Sequence, residues 1–177
     1  MITVFFDTNI FDKLSEDEGV RVLLTDLRKQ GQIRLFISRT VRDELAASPH
    51  MDLLASLPIE IVGNAAPVAG IMCAGDYLGN AEHFFQHKGQ SNKLNDAQVA
   101  TAAELLGDWL VSEDTRLRHR QEKLAIAVKV LTYEEFVLAA RATLLNNQTT
   151  KKTVVFGCMT VSESQGPSHA KLEHKWE

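Results

Sequence analysis

Residues 2–9 read ITVFFDTN, an apolar run rich in β-formers that stops at Asp7-Thr8-Asn9. A short run of this kind, bounded by turn-forming residues, reads as a buried strand. Open α/β sheets bind their ligands outside the carboxyl ends of their strands. Asp7 therefore stands where a functional carboxylate would stand. Three acids further along, Glu44, Asp96 and Asp114, gain interest from that placement.

Strands and helices are expected to alternate down the chain. After the strand Ile2–Phe6, a helical turn covers Ile10–Leu14. Ser15 is the expected N-cap of a helix running to about Gln30, whose stripe is Val20, Leu23, Leu24 and Leu27. Gly31 suits the position just past its end. A strand over Ile33–Ile37 leads to Ser38, which caps a helix over Arg39–Ala47 that Pro49 ends. A short helix over Met51–Ser56 and a strand over Ile59–Val62 follow. Asn64–Ala66 with Pro67 reads as a loop, and Val68–His87 as broadly helical, though interrupted by Gly70, Gly75 and Gly79. After the polar stretch Lys88–Asn92, Asn95 or Ser91 opens a helix ending at Gly107. A strand over Trp109–Val111, a helix over Thr115–Lys123 and a strand over Ala127–Leu131 come next. Thr132 and Glu135 form a capping box for a helix from Tyr133 to about Leu145.

Such alternation predicts an α/β three-layer sandwich around a central, mostly parallel five-stranded sheet, with helices on both faces. The expected domain spans residues 1–145. Residues 146–177 form a C-terminal extension: polar to Lys152, an edge strand over Thr153–Val161, then a disordered tail.

At 177 residues the chain is long enough to bury a real core, and its 45% hydrophobic and 24% charged residues are those of an ordinary globular protein. No apolar run approaches the ~20 residues of a membrane span, and the N-terminus has no signal-peptide pattern. Cys73 and Cys158 match no metal-ligand spacing. A cytoplasmic, reduced protein is the expectation. The net charge of −4 disfavours a protein that coats nucleic acid electrostatically. It leaves room for a nuclease, because clustered metal-binding acids themselves lower the charge.

In a parallel sheet Asp7 and Asp114 lie on the same rim. Glu44 falls in the second turn of a helix that begins at that rim, and Asp96 in the first turn of another. Glu44 shares a face with Val41 and Leu45, and Asp96 heads a stripe through Val99, Ala100 and Ala103, so both are expected to point inward. Each acid also has a plain reading: Asp7 and Asp114 as helix caps, Asp96 as a helix-dipole acid, Glu44 as a surface residue. Together they point to more. Clustered carboxylates repel, and a hard cation is the usual reason to tolerate them. Mg²⁺ or Mn²⁺ takes oxygen ligands, activates water and stabilises charge on a phosphate oxygen. The chemistry suits phosphodiester hydrolysis.

FFDTN, the glutamate in SRTVRDEL, the aspartate in NDAQVATAAELLG and the VSEDTRL before a helix together resemble the PIN domain family. The resemblance covers about Met1–Leu138. It implies that Asp7, Glu44, Asp96 and Asp114 are the catalytic and metal-binding acids. It implies that Asn9 and Ser112 are polar helpers on the substrate side, the first orienting Asp7 and the second close to the metal. It further implies a metal-dependent ribonuclease that cuts single-stranded RNA to a 3′-hydroxyl and a 5′-phosphate. Many small bacterial members resemble toxins held inactive by an antitoxin protein. The long Val68–Asn92 stretch and the tail beyond Leu145 depart from the compact toxin pattern. The tail's strand is also a candidate homodimer or partner contact.

Arg116 is the first candidate for a phosphate contact, followed by Arg39 and Arg42, then Arg118, His119 and Arg120. Lys88 and Lys93 are weaker ones. His83 and His87 have a spacing that can bind zinc but no third ligand. Phe84 and Phe85 read as core or groove wall. His50, His169 and His174 form no ligand pattern.

Two rival readings are a haloacid-dehalogenase-type phosphohydrolase and a non-catalytic PIN-like scaffold or RNA-binding module. The first wants a second aspartate two residues after Asp7, where Asn9 stands. The second would be marked by loss of acids, and all four are present.

Overall fold

A computed structural model describes residues 1–66, 77–78, 91–124 and 128–145. The chain divides into a unit Met1–Thr143 and a second unit Leu144–Glu177. The central sheet lies wholly in the first unit.

The elements in chain order are β1 (Ile2–Phe6), α1 (Ile10–Glu16), α2 (Glu18–Lys29), β2 (Ile33–Ser38), α3 (Arg39–Ala46), α4 (Met51–Ser56) and β3 (Ile59–Val62). Then come β4 (Ala65–Ala66), β5 (Tyr77–Leu78), α5 (Ser91–Leu106), β6 (Trp109–Val111), α6 (Thr115–Leu124) and β7 (Lys129–Leu131). A helix α7 covers 133–145.

The sheet has five strands in the order β3-β2-β1-β6-β7, every pair parallel. The expected architecture is therefore present, and the sheet is wholly rather than mostly parallel. From β1 the chain steps outward to β2 and β3, then returns to β6 and steps the other way to β7. Parallel neighbours need crossover connections, and the helices between the strands supply them. β1 and β6 are neighbours from which the chain departs in opposite directions, so a crevice opens between their carboxyl ends.

Val4, Phe5 and Phe6 are fully buried. Phe5 and Phe6 are consecutive, so they point to opposite faces. Phe6 meets Phe11 of α1 and Phe136 of α7, with ring centroids 6.4 and 5.3 Å away. Phe5 meets Phe36 of β2 at 5.5 Å and lies against Gly107 at the end of α5. Both faces of β1 are thus covered, which explains why its sequence is a continuous apolar run rather than an alternating one.

Several local expectations need correction. Ser15 is not the cap of α2: it lies inside α1, where its hydroxyl donates to the Asp12 carbonyl. Asp17 takes the cap, accepting from the Val20 backbone N–H at 2.9 Å, because α1 runs two residues past Leu14, to Glu16. Residues 65–66 are not loop but pair in parallel with 77–78, so the helical reading of Val68–His87 fails at Tyr77–Leu78. The rest of that stretch, with His83, Phe84, Phe85, His87 and Lys88, lies outside the described residues. So do Cys73, Cys158 and the extension beyond Leu145. α5 starts at Ser91, which puts Asp96 in its second turn rather than its first. The capping box at α7 is present: Thr132 N–H donates to Glu135 Oε2 at 2.8 Å, and Glu135 N–H to Thr132 Oγ1 at 3.2 Å. Among the described residues no helix is long and apolar enough to cross a membrane.

Candidate functional site

β1 and β6 run side by side, pairing Phe6 with Val111, so the residues that follow them are brought together at the crevice. The Asp7 N–H still donates to the Val111 carbonyl, at 3.1 Å. One residue on, the Ser112 hydroxyl donates to Asp7 Oδ2 at 2.6 Å and accepts from the Asp114 backbone N–H at 3.1 Å. Asn9 completes the link. Its amide donates to Asp7 Oδ2 at 2.9 Å, and its carbonyl oxygen accepts from the Glu113 N–H at 3.1 Å. Asp7 Oδ1 accepts from the Thr8 N–H at 2.8 Å. The carboxylate is therefore held by three donors on a rigid base.

Burial pushes the Asp7 carboxyl above its ordinary value. The bonds from Ser112 and Thr8 work against that rise, and the neighbouring carboxylates Asp96 and Glu44 add to it. Glu44 comes from the second turn of α3, below the buried Val41 and Leu45. Its two oxygens accept from the Thr8 hydroxyl and from the Asn95 amide, the latter at 2.8 Å. Asp96 is carried by α5, whose buried Val99, Ala100 and Ala103 seat that helix against the sheet. A buried bond from the Thr40 hydroxyl to Gln98 Oε1, 2.6 Å long, ties α3 to α5. Asp114 also serves as a helix cap, accepting from the Arg116 N–H at 2.8 Å.

Asp7, Glu44, Asp96 and Asp114 all line one cleft of about 490 Å³. Asn9 also lines it. Ser112 is fully buried, with its hydroxyl bonded to Asp7 and Asp114, and it is not among the described residues lining the cleft. Arg39 and Arg116 are not among the described residues lining the cleft, although both lie at helix starts beside it. Arg42 pairs with Asp43 at 2.6 Å, and Arg118 approaches Glu135 at 3.7 Å.

Three residues that the sequence did not single out shape the rim. Glu113 accepts from the Tyr133 N–H at 2.9 Å and from Lys13 Nζ at 3.0 Å, anchoring the β6 end to α7 and α1. The first of these bonds, more than the second, holds its carboxyl below the ordinary value. Asp12 and His50 also line the cleft, joined by a 2.7 Å contact from His50 Nε2 to Asp12 Oδ1. No local pattern connects two residues 38 positions apart.

Among the described residues no three His, Cys, Asp or Glu side chains stand as a ready-made metal-binding group. The donors present are nevertheless hard oxygens around one half-buried, pre-oriented carboxylate. Such a set fits a cation like Mg²⁺, which binds through one or two carboxylates and keeps several waters. No family model matches the chain, and no curated protein matches it.

Proposed function

We propose that this protein is a divalent-metal-dependent endoribonuclease that hydrolyses phosphodiester bonds of single-stranded RNA, of the PIN type that its motifs resemble. One observation carries the reading. Asp7 is half-buried, destabilised as an anion by desolvation and by Asp96 and Glu44, yet held in one orientation by Ser112, Asn9 and Thr8. Rigid placement of a carboxylate that disfavours its own charge is sensible where a cation is bound.

In this reading Asp7, Asp96 and Asp114 hold Mg²⁺ or Mn²⁺, with Glu44 on the same cleft wall. The bound ion supplies a more acidic water and positive charge for the phosphoryl oxygens. Ser112 and Thr8 favour the ionised form of Asp7, and Asn9 helps to aim it. Glu44, fixed by Thr8 and Asn95, would accept a hydrogen bond from the attacking water. That water's oxygen bonds to phosphorus, the P–O3′ bond breaks, and the water's proton ends on the departing 3′-oxygen. The products are a 3′-hydroxyl and a 5′-phosphate. Regulation by an antitoxin-type partner is compatible with the same site.

The test is cleavage of end-labelled single-stranded RNA and DNA with Mn²⁺, with Mg²⁺ and with EDTA, for wild type and Asp7→Asn. Metal-dependent cutting of RNA that disappears in the variant is expected. A wild-type protein that neither cuts nor binds Mn²⁺ would leave a scaffold, and preference for DNA would change the substrate.

A further inference from the structure

We propose that His50, held by Asp12, is a substrate-contacting residue that anchors a phosphate of the RNA strand on the wall of the cleft. The inference rests on the nuclease reading for the identity of its ligand. It begins with the charge of the cleft. Asp7, Asp12, Glu44, Asp96 and Asp114 all line it, and His50 is the one lining side chain among the described residues that can carry positive charge. A polyanionic strand entering such a cleft meets carboxylates on several sides. A metal ion answers at the scissile phosphate; a neighbouring phosphate needs a donor of its own.

His50 is built for that task. It stands at the start of α4, after Ser48 and Pro49, which line the same wall. Its backbone N–H donates to the Ser48 hydroxyl at 3.2 Å, which fixes the turn. Its side chain is 20% exposed, so the ring is largely seated in the wall, whereas Asp12 is 76% exposed. The Nε2–Asp12 contact at 2.7 Å sets the ring's orientation. In the imidazolium form both ring nitrogens donate. One serves Asp12, and the other is available to a phosphate oxygen as a charge-assisted bond. The bland reading is an ion pair that merely ties α1 to α4. That reading makes no claim on RNA.

The two are separated by binding rather than by cutting. The probe is a 5′-fluorescein-labelled ten-nucleotide oligouridylate, followed by fluorescence anisotropy in Ca²⁺, with gels to check that it stays intact. The proteins are wild type, His50→Ala, His50→Gln and His50→Lys, each checked for folding by circular dichroism and for Mn²⁺ affinity by calorimetry. His50→Ala and His50→Gln are expected to bind about tenfold more weakly, the scale of one charged hydrogen bond. His50→Lys, which restores a cation, is expected to come within about twofold of wild type. In cleavage with Mn²⁺, His50→Gln should raise KM and leave kcat nearly unchanged.

If folded His50→Gln binds the probe as wild type does, or if His50→Lys is no better than His50→Gln, the phosphate anchor is wrong even if the enzyme cuts. A wild-type protein that binds the probe through His50 but never cuts with Mn²⁺ or Mg²⁺ would sink the nuclease reading alone. A wild-type protein that does not bind the probe would overturn both.

Discussion

The Ser112 hydroxyl donates to Asp7 Oδ2 at 2.6 Å across 105 positions of sequence, and Ser112 Oγ in turn accepts from the Asp114 N–H. One buried hydroxyl therefore couples the acids at the ends of two adjacent strands. Removing it as Ser112→Ala takes away a bond that favours the ionised form of Asp7. The Asp7 titration should move further upward. Mn²⁺ affinity, measured by calorimetry against pH, should develop at a higher pH than in wild type, and cleavage at pH 7 should fall by about tenfold. An unchanged pH dependence would show that the hydroxyl does not control Asp7.

Asp7 also makes a prediction about stability without metal. Its folded-state value lies above its unfolded one, so the folded protein binds more protons between the two. The Asp7 contribution is thus least unfavourable at low pH and worsens as pH rises from about 4 through the folded value. Urea denaturation in EDTA should show wild type losing ground to Asp7→Asn as pH rises through that window. Saturating Mn²⁺ should restore wild type by about 2–3 kcal/mol at 100-fold excess over Kd, with little effect on the variant.

Glu113 has the opposite sign. The Tyr133 N–H and Lys13 hold its carboxyl low, so its contribution is present above the unfolded value and is lost as pH falls through the folded one. Glu113→Gln should cost less than ~1 kcal/mol at pH 7, because the Lys13 pair is a third or more exposed and screened. The difference from wild type should vanish in urea melts below the folded value. A constant difference across pH would assign the effect to packing.

Gly107 ends α5 where β1 passes beneath it. A Cβ there would lie 2.9 Å from the Ala103 carbonyl oxygen and 2.9 Å from Phe5 Cδ2. Phe5 is fully buried, and the Ala103 carbonyl belongs to the backbone of α5. Gly107→Ala should destabilise by about 1–3 kcal/mol despite alanine's better helix propensity. Thermal melting decides it, and a stabilised variant would contradict the close approach.

Thr40 and Gln98 are both buried and share a 2.6 Å bond between α3 and α5. Thr40→Val leaves the Gln98 amide oxygen without that donor, at a cost of about 1–3 kcal/mol. Because α3 carries Glu44 and α5 carries Asp96, the same variant should weaken Mn²⁺ binding while the protein remains folded. A loss of stability with unchanged metal affinity would show that the two helices hold their acids independently.

Much of the fold was readable because burial and local chemistry write directly into the chain. The largely apolar run of β1 announced a buried strand, Gly31 with its φ of +68° marked the end of α2, and Thr132 with Glu135 marked the start of α7. Where several residues could serve one purpose, the local signal misled. Ser15 and Asp17 are both good caps, and only the true length of α1 chose between them. The two-residue strands β4 and β5 are too short to carry a period, so their pairing left no pattern.

By itself the sequence determined the strands of the five-stranded sheet and most of the helices between them, and that acids follow β1 and β6, because those features depend on near neighbours and on period. The strand order β3-β2-β1-β6-β7 needed the tertiary structure, and with it the crevice between β1 and β6. So did the meeting of Asp7 with Ser112, of Glu44 with Asn95, and of Asp12 with His50. The physical reason is common to all of them. A hydrogen bond depends on distance in space, and chain separation leaves no trace of it until the sheet has brought the strand ends together.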